Sequence, residues 1–270
     1  MIPALGMGTW ITFNVGDDRA ARAQRLEVLR AFFAAGGGMI DSSPMYGSSE
    51  AVVGDCLRKL SADAALPPAF LSATKTWTAF QSGGESQFKS SLRLWGVPKI
   101  DVQQIHNLLS WKVHLKTLLK LKEDGLIRYI GITTSHGRRH EDFAAIMRNE
   151  PIDFVQFTYN IITRDAESVL LPLAMERKLG VIINRPFEGG GLFNRYGDKP
   201  LPPFAAEIGC RHWSQFFLKF ILSHPAVTVA IPATSRVDHM RENMAAGLMS
   251  HGPLPDETMR AKMVAYVEGL

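Results

Sequence analysis

Four side chains fall at or just after the ends of three consecutive strand-like segments, and together they suit chemistry on an oxygen atom. Asp41 and Tyr46 belong to the second such segment, Lys75 ends the third and His106 ends the fourth. A phenol has a reference pKa of about 10, so Tyr46 is a weak acid at neutral pH unless its anion is stabilised. A nearby ammonium group would stabilise that anion, and a carboxylate would keep the ammonium charged. The set therefore predicts acid–base catalysis on an oxygen, as carbonyl reduction requires, with His106 orienting the carbonyl.

Lys75 is expected to lower the pKa of Tyr46. A unit charge about 4 Å away contributes roughly 4 kcal/mol at an effective dielectric constant of about 20. At about 1.4 kcal/mol per pKa unit, this is as much as about three units before competing effects. Each residue alone also fits a structural role, such as a turn cap, a half-buried ring, a solvated amine or a buried histidine. Their shared position at strand ends favours the catalytic interpretation.

Short apolar segments alternate with amphipathic ones along the chain, which predicts the elements that position these residues. The predicted strands are 4–8, 39–41, 70–75, 100–106, 127–133, 154–159, 181–184 and 227–231, and the predicted helices include 19–35, 48–59, 85–95, 113–124, 166–178 and 213–223. This alternation predicts an α/β protein, a (β/α)8 TIM barrel forming a single domain over residues 1–270. An open doubly wound sheet is the alternative, but no Gly-x-Gly-x-x-Gly turn follows the first strand. Gly36, Gly125 and Gly180 each follow a predicted helix, as C-terminal caps should.

The composition excludes several classes of partner. The chain has 30 basic and 26 acidic residues, a net charge of +4, and no interleaving of basic and aromatic residues, so no nucleic-acid partner is expected. No apolar run is long enough to cross a bilayer, and no basic residue precedes Arg19 to form a signal peptide. We therefore expect a cytoplasmic protein, or a periplasmic one if an export signal lies upstream of this chain.

The possible metal ligands lack the spacing of a metal site. Cys56 and Cys210 are far apart in sequence and form neither a disulfide framework nor a metal pattern. His136 and His140 lack the glutamate of the zinc-protease pattern, and the two arginines between them would repel a cation. We therefore expect no metal.

Six segments of the printed sequence form a recognisable set of motifs, at positions 8–10, 41–47 (Asp-Ser-Ser-Pro-Met-Tyr-Gly), 74–75, 104–107 (Gln-Ile-His-Asn), 155–160 (Val-Gln-Phe-Thr-Tyr-Asn) and 231–243. On these motifs the chain resembles the aldo-keto reductases over nearly its whole length. The resemblance implies a carbonyl reductase dependent on a pyridine nucleotide, in which Tyr46 donates the proton, Lys75 and Asp41 tune it and His106 orients the substrate. It also implies NADPH as cofactor, with NADH not excluded, a small carbonyl substrate, no membrane partner and a monomer or weak homo-oligomer.

The loops after the seventh and eighth strands are predicted to bind the nucleotide, because barrels often bind phosphate there. By the resemblance, Thr234 and Arg236 would hold the adenosine phosphate, and an arginine favours NADPH through bidentate contacts. Glu242 and Asn243 would read the adenine, and Gln156 would bind the nicotinamide amide. The full cofactor set that the resemblance implies is Gly8, Thr9, Trp10, Asp41, Thr133, Thr134, Gln156, Asn184, Arg185, Pro186, Phe187, Gly189, Gly191, Ile231, Thr234, Arg236, His239, Glu242 and Asn243.

Four departures distinguish this chain from the family pattern. Ala233 stands where many members have a lysine, and Thr133 and Thr134 replace a Ser-Asn pair at the end of strand 5. Asn184 replaces the aromatic residue expected to stack on the nicotinamide, so Phe187 or another ring would have to take that role. The N-terminal hairpin that usually covers the barrel floor is expected to be absent.

An apolar substrate pocket is predicted at the mouth of the barrel. Its residues are Trp10, Met45, Trp77, Asn107 and Trp111. The short segment after the last barrel helix indicates an open site of broad specificity. Two alternatives remain open: a nucleotide-binding regulatory or scaffold protein with little turnover, and a lyase or isomerase that uses the lysine as a Schiff base.

Overall fold

Eight short parallel strands form one sheet in chain order in a computed structural model that describes residues 4–67 and 69–270. Leu5 forms a parallel bridge with Ala230, and the Gly6 N–H donates to the Ala230 oxygen at 2.9 Å, which closes the sheet into a barrel. The predicted single-domain (β/α)8 barrel is therefore confirmed. The strands of the described residues are β1 (Met7–Gly8), β2 (Met39–Asp41), β3 (Leu71–Thr76), β4 (Ile100–Ile105), β5 (Ile127–Thr133), β6 (Phe154–Thr158), β7 (Gly180–Asn184) and β8 (Val229–Ala230).

Helices surround the barrel and cover its outer face with a continuous apolar core. In the described part of the chain they are α1 (Arg19–Ala34), α2 (Ser49–Ala62), α3 (Gln81–Trp95), α4 (Trp111–Glu123), α5 (His140–Asn149), α6 (Leu170–Glu176), α7 (Gly191–Tyr196), α8 (Trp213–Leu222), α9 (Val237–Ala245) and α10 (Glu257–Glu268). The helix α8 is buried along its whole length, which explains its apolar sequence.

Local sequence signals fix several helix ends. The Asp18 side chain accepts from the N–H groups of Ala20 and Ala21 at 2.9 and 3.0 Å and begins α1. Asp256 begins α10 in the same way, accepting from the Met259 N–H at 2.8 Å. Gly96 ends α3 in the left-handed conformation that favours glycine, with φ of 68°.

The barrel interior consists of an apolar layer followed, towards the carboxyl ends of the strands, by a polar one. The apolar layer includes Met39, Ala73, Val102, Phe154 and Ile182. Because alternate residues of a strand face the same side, the residue two positions further on also faces inward. Those next positions are all polar: Asp41, Lys75, Gln104, Gln156 and Asn184. The polar layer therefore lies at the carboxyl face, where TIM barrels carry their sites.

At the amino end of the barrel, the rings of Tyr129 and Phe154 pack edge to face with centroids 5.3 Å apart. A Cβ on Gly180 would come within 2.3 Å of the Phe154 ring, so this glycine gives the ring its space inside β7. The prediction that Gly180 caps a helix is therefore wrong, and Lys178, with φ of 54°, takes the left-handed position instead. The expectation about a floor hairpin concerns the chain ahead of β1, where residues 1–3 lie outside the described part.

Other element boundaries differ from the predictions in detail. The predicted helix 166–178 is split into a short 3₁₀ turn (Asp165–Glu167) and α6. The helix α3 begins at Gln81 and not at residue 85. Its first turn was not predicted because that turn contains Gly83 and Gly84, which are weak helix formers. His106 begins a 3₁₀ turn immediately after β4 and does not belong to the strand. The sequence pattern also did not single out α5 and α7.

Candidate active site

Asp41 and Lys75 form a salt bridge in the polar layer of the barrel. Lys75 Nζ donates to Asp41 Oδ2 at 2.5 Å and to the Ser42 backbone oxygen at 2.8 Å. Burial lowers the pKa of Lys75, but the Asp41 carboxylate and the Tyr46 phenol raise this pKa by more, so the lysine stays protonated. A protonated lysine held in this way disfavours the alternative in which it attacks a carbonyl as a neutral amine.

Two glutamine amides hold the second oxygen of the Asp41 carboxylate. Gln104 Nε2 and Gln156 Nε2 donate to Asp41 Oδ1 at 3.0 and 2.9 Å, and Gln156 Nε2 also lies 3.1 Å from Gln104 Oε1. All three side chains are buried, so these bonds replace water around the carboxylate and fix its orientation towards the lysine. Gln104 was not predicted as a site residue. The amide nitrogen of Gln156, predicted to contact nicotinamide, serves Asp41 in this structure.

Tyr46 ends a 3₁₀ turn (Pro44–Tyr46) that follows β2 and brings its ring to the salt bridge. Lys75 Nζ lies 5.1 Å from the centroid of this ring. The turn begins at Ser43, whose Oγ accepts from the Met45 N–H at 3.2 Å. The phenol and the ammonium group therefore share one site, as the spacing of strand ends predicts.

The pKa of Tyr46 differs from the expectation. Burial raises the pKa of this phenol above its ordinary value, the charge of Lys75 lowers the pKa by less, and the charge of Asp41 adds to the rise. The prediction that the lysine lowers the net pKa is therefore wrong for this structure, because the sequence shows the charges but not the loss of water around the ring. Tyr46 stays protonated at neutral pH, as a proton donor must.

His106 packs edge to face against Tyr46, with ring centroids 5.8 Å apart. Burial and then the charge of Lys75 lower the pKa of His106 to about 3, so the imidazole is neutral at physiological pH. Its Nδ1 lies 3.1 Å from Ser43 Oγ, whose hydroxyl can donate its proton to Nδ1 while its oxygen accepts the Met45 N–H. With that bond, Nε2 carries the proton of the neutral ring and is a donor.

A buried carboxylate supports β3 from outside the barrel. Thr74 Oγ1 and Trp95 Nε1 donate to Glu50 Oε1 at 2.7 and 2.9 Å, which joins α2, β3 and α3. Because neighbouring residues of a strand face opposite sides, this contact lies directly behind Lys75. Glu50 was not predicted as a site residue. The only signal in the sequence is a carboxylate followed by the apolar residues Val52 and Val53, which the structure buries with it in α2.

The mouth of the barrel carries exposed apolar side chains. The predicted pocket residues all follow the first four strands: Trp10, Met45, Trp77 and Asn107 lie in loops or turns, and Trp111 is the first residue of α4. Trp10, Met45 and Trp77 are between 41% and 45% exposed, and the other two are partly buried. Ile11 and Phe80 belong to the same loops, are more exposed still and were not predicted. The sequence offered a signal for Phe80, which is a large apolar residue between a strand and a helix.

Hydrogen bonds connect the predicted cofactor residues at the ends of β5 to β7. Thr133 Oγ1 accepts a backbone N–H from the loop after β4 at 3.0 Å, and Thr134 Oγ1 donates to the Arg138 oxygen at 2.6 Å. Asn184 Nδ2 donates to the Thr134 oxygen at 2.9 Å, and Asn184 Oδ1 accepts from Thr158 Oγ1 at 2.8 Å. The three predicted residues therefore lie together at one edge of the polar layer.

The loop after β7 buries its aromatic residue. Phe187 is 7% exposed and belongs to the outer core, where its ring packs on Phe193 with centroids 4.8 Å apart. The possibility that Phe187 replaces the missing stacking ring is therefore not supported, because the ring is occupied by core packing. Pro186 beside it is buried as well.

Arg185 begins the same loop with its backbone in the left-handed conformation, at φ of 50°. One guanidinium nitrogen lies 3.3 Å from Glu188 Oε2, whereas Arg185 Nε is buried and makes no hydrogen bond within the described residues. Gly189 and Gly191 follow, and a Cβ on Gly191 would meet only the Glu188 side chain, at 3.5 Å. The loop thus combines a partly free cation with backbone that has open space beside it.

The loop after β8 holds the predicted phosphate residues at the start of α9. Thr234 Oγ1 accepts from the Arg236 N–H at 3.1 Å. The exposed guanidinium of Arg236 makes a two-bond ion pair with Asp238, which the sequence did not indicate. The remaining predicted cofactor residues belong to β1, follow β1 or β8, or lie in α9: Gly8, Thr9, Trp10, Ile231, His239, Glu242 and Asn243.

Residues 4–67 and 69–270 contain no group of three or more side chains placed to ligate a metal ion. Over the same ranges, no helix has the length and apolar character needed to cross a membrane.

Residues 4–261 match the profile of the Aldo/keto reductase family, and the chain therefore belongs to this family. Among curated relatives, the methylglyoxal reductase YeaE of Escherichia coli is 25% identical over 249 residues, covering 90% of this chain and 85% of the relative. The probable aldo-keto reductase 1 of Glycine max is 23% identical over 283 residues, covering 91% and 81%.

The fold also matches solved structures of this family. A crystal structure of an aldo/keto reductase from Klebsiella pneumoniae, in complex with NADP and acetate, superposes with a TM-score of 0.80. The match covers 98% of this chain and 92% of that chain at 24% sequence identity. The holo form of an aldo-keto reductase from Bacillus halodurans gives a TM-score of 0.75 at 20% identity, covering 98% and 92%.

Proposed function

We propose that this protein is a nicotinamide-dependent carbonyl reductase that converts an aldehyde or ketone to the alcohol, with Tyr46 as the proton donor. The observation that carries the proposal is the buried salt bridge between Lys75 and Asp41, with the Tyr46 ring 5.1 Å from the lysine nitrogen. Membership of the aldo/keto reductase family supports this function.

The side chains divide the proton chemistry between them. His106 Nε2–H would hydrogen-bond the carbonyl oxygen and hold it near the phenol, and it can do so because the ring is neutral. As negative charge develops on that oxygen, the Tyr46 hydroxyl would transfer its proton to it. The fixed ammonium of Lys75 would stabilise the resulting tyrosinate, and a preorganised charge of this kind needs no reorganisation during the reaction. Asp41 keeps the lysine charged and in place.

The residues of the described chain fit a nicotinamide dinucleotide, which when bound would supply the hydride. The buried Arg185 Nε lacks a partner among the described residues. In the same loop a Cβ on Gly189 would contact only the Arg185 guanidinium, and the backbone of Gly191 has open space beside it. Backbone N–H groups and a free guanidinium nitrogen are the donors that a pyrophosphate requires. We propose that this loop binds the pyrophosphate and that Thr234 and Arg236 bind the adenosine phosphate.

NADPH is the proposed cofactor, with NADH accepted less well. Arg236 supplies the guanidinium that would recognise a 2′-phosphate, as an arginine does at many such sites. Two solved structures of aldo-keto reductases from Klebsiella pneumoniae, similar to this chain, contain NADP or NADPH. Asp238 is bonded to this guanidinium and Ala233 offers no charge, so discrimination against NADH is expected to be modest.

The proposed substrate is an apolar carbonyl compound. The exposed rings of Trp10 and Trp77 follow β1 and β3 on the barrel face where Tyr46 follows β2, and apolar walls with one polar end are typical of small-molecule pockets. The relative YeaE is named a methylglyoxal reductase, so methylglyoxal is the small, polar substrate to compare.

The experiment that tests the function compares the protein with a Tyr46→Phe variant, using NADPH and 4-nitrobenzaldehyde. We expect the wild type to oxidise NADPH and the variant to lose at least about 10²-fold in kcat, the range for removing general acid catalysis. The dissociation constant for NADPH, measured by fluorescence, should stay the same. Turnover that survives in the variant would refute the role of Tyr46. A wild type that binds NADPH without oxidising it would instead support a regulatory or scaffold protein.

A further inference from the structure

The loop between β3 and α3 presents two large apolar side chains at the mouth of the barrel. Trp77 is 41% exposed and Phe80 is 74% exposed. They follow Lys75 by only two and five residues, so they lie in the loop at the carboxyl end of β3, on the barrel face that carries Lys75. A loop with this much exposed apolar surface would be mobile unless its backbone were held, because loops have few packed contacts of their own.

Gln87 holds this loop with two reciprocal hydrogen bonds. The Trp77 N–H donates to Gln87 Oε1 at 2.8 Å, and Gln87 Nε2 donates to the Trp77 oxygen at 2.8 Å. A side-chain amide presents an N–H donor and a carbonyl acceptor side by side, so it pairs with both polar groups of the Trp77 backbone as a neighbouring strand would. Both bonds are exposed to solvent, and their main effect is therefore on the position of the loop and less on global stability.

A histidine of the next helix anchors the adjacent residue. His114 Nε2 lies 2.6 Å from the Thr78 oxygen, and the side chain is 1% exposed. The ring fits beside α3 because residue 84 is glycine, where a Cβ would come within 2.8 Å of His114 Nδ1. Two consecutive residues of the loop are therefore fixed from two helices, α3 and α4, neither of which belongs to the catalytic group.

We infer that Gln87 is a positioning residue that fixes Trp77 as a rigid wall of the substrate site and thereby selects flat, apolar carbonyl compounds over small polar ones. A preorganised indole loses little conformational entropy when a flat ring stacks on its face. A small polar carbonyl compound has no ring to stack there, so a fixed indole does not improve its binding. The inference deepens the proposed function and rests on it where it names a carbonyl as the substrate.

The test compares Gln87→Leu and Gln87→Glu with a matched control, Gln81→Leu. Leucine removes both hydrogen bonds, whereas glutamate keeps the acceptor and loses the donor. Gln81 is another glutamine of α3, and its amide donates to Glu85 of the same helix, so its loss should leave the loop unchanged. For each protein we would measure hydrogen exchange of the segment containing Trp77, quenching of tryptophan fluorescence by 4-nitrobenzaldehyde, and KM and kcat for 4-nitrobenzaldehyde and methylglyoxal. The affinity for NADPH and the melting temperature are measured as well, as controls for the cofactor site and for folding.

In Gln87→Leu we expect the Trp77 amide to exchange about fivefold faster, as loss of one hydrogen bond implies. The affinity for 4-nitrobenzaldehyde should fall about tenfold, seen as a higher KM and weaker quenching with kcat nearly unchanged. The constants for methylglyoxal, the affinity for NADPH and the melting temperature should stay the same. Gln87→Glu should lie between the wild type and Gln87→Leu.

Equal losses for the two aldehydes, or faster exchange with unchanged affinity for 4-nitrobenzaldehyde, would overturn the selectivity role. Unchanged exchange at Trp77 would overturn the positioning role. A wild type that reduces neither aldehyde would refute the proposed reductase. Quenching needs no turnover, so the affinity of Gln87→Leu for 4-nitrobenzaldehyde relative to that of the wild type would still test the role of Gln87.

Discussion

Lys75 and Asp41 meet at 2.5 Å inside the barrel, where the lysine side chain has no exposed surface and that of Asp41 is 3% exposed. The two residues lie on neighbouring strands, and each faces inward two positions after an apolar residue of the same strand. The barrel thus removes both charges from water and pairs them. The pair matters for the site because it keeps the Lys75 ammonium beside the Tyr46 ring.

Removing one partner of this pair should destabilise the protein more than removing both. Asp41→Leu leaves a buried ammonium with one backbone acceptor, and Lys75→Met leaves a carboxylate with two amide donors. We expect each single variant to lose about 3–5 kcal/mol of unfolding free energy, and the double variant to recover part of the loss of Asp41→Leu. Urea denaturation at pH 7 measures all three.

Lys59→Met is the control for this series, because Lys59 pairs with Asp55 at the surface and its loss should change stability by less than about 1 kcal/mol. All variants of the buried pair should lose at least about 10²-fold in kcat if the proposed chemistry holds. A double variant no more stable than Asp41→Leu would mean that packing around these side chains matters more than their charges.

Glu50→Gln should change how stability depends on pH. Burial raises the pKa of Glu50, and the hydrogen bonds from Thr74 and Trp95 and the charge of Lys75 oppose this rise without cancelling it. A carboxyl with a higher pKa in the folded protein binds its proton more tightly there. Its contribution is therefore fully present below the unfolded pKa and is lost as pH rises through the folded pKa.

Glutamine has no proton to lose and keeps an acceptor oxygen for both donors. Urea denaturation of wild type and Glu50→Gln should therefore show the variant gaining relative stability between pH 4.5 and pH 8. Glu27→Gln, at an exposed position of α1, is a suitable control and should show no such trend. A difference that stays constant across this range would show that Glu50 does not titrate as its burial implies.

The rate of carbonyl reduction should vary little with pH around neutrality. Burial and the charge of Lys75 lower the pKa of His106 to about 3, and burial raises the pKa of Tyr46 above its ordinary value. Near neutral pH, the imidazole therefore stays neutral and the phenol stays protonated. We expect kcat/KM for 4-nitrobenzaldehyde to vary by less than about twofold from about pH 5.5 to 8.5. His106→Gln should lower kcat/KM and leave its pH profile flat. If kcat/KM of the wild type instead changed with pH and this change were absent in His106→Gln, the histidine would have to become charged during catalysis.

The barrel and the meeting of Asp41, Tyr46, Lys75 and His106 were predicted from the sequence, because polar residues at the ends of apolar strands are visible in the chain. Asp41, Lys75 and His106 interrupt apolar segments, and a closed parallel sheet has one carboxyl face. The supporting residues were not predicted, since Gln104 and Gln87 carry no charge and act through contacts between separate elements. Such contacts depend on how strands align and helices dock, and no local pattern encodes them.

Burial explains two differences between the structure and the sequence analysis. The pKa of Tyr46 was judged from neighbouring charges, whereas burial of the ring has the larger effect. Phe187 was considered as a stacking ring because it stands beside glycines, whereas packing on Phe193 buries it. In both cases the outcome depends on how completely residues distant in sequence exclude water from the side chain.

Lys219 should prove to be a structural lysine that holds the segment leading to α10. Its side chain enters from α8, is almost fully buried and donates to three backbone oxygens, those of His251, Gly252 and Pro253, at 3.1, 2.8 and 3.0 Å. Lys219→Met keeps the aliphatic stem but leaves three acceptors without a donor, each lost bond costing about 1–3 kcal/mol when no water replaces it. We therefore expect a loss of at least about 2 kcal/mol in unfolding free energy and faster hydrogen exchange in residues 249–256. Lys262→Met, on the exposed face of α10, should change neither quantity. A variant at residue 219 as stable as the wild type would mean that water reaches these oxygens and that the lysine is dispensable.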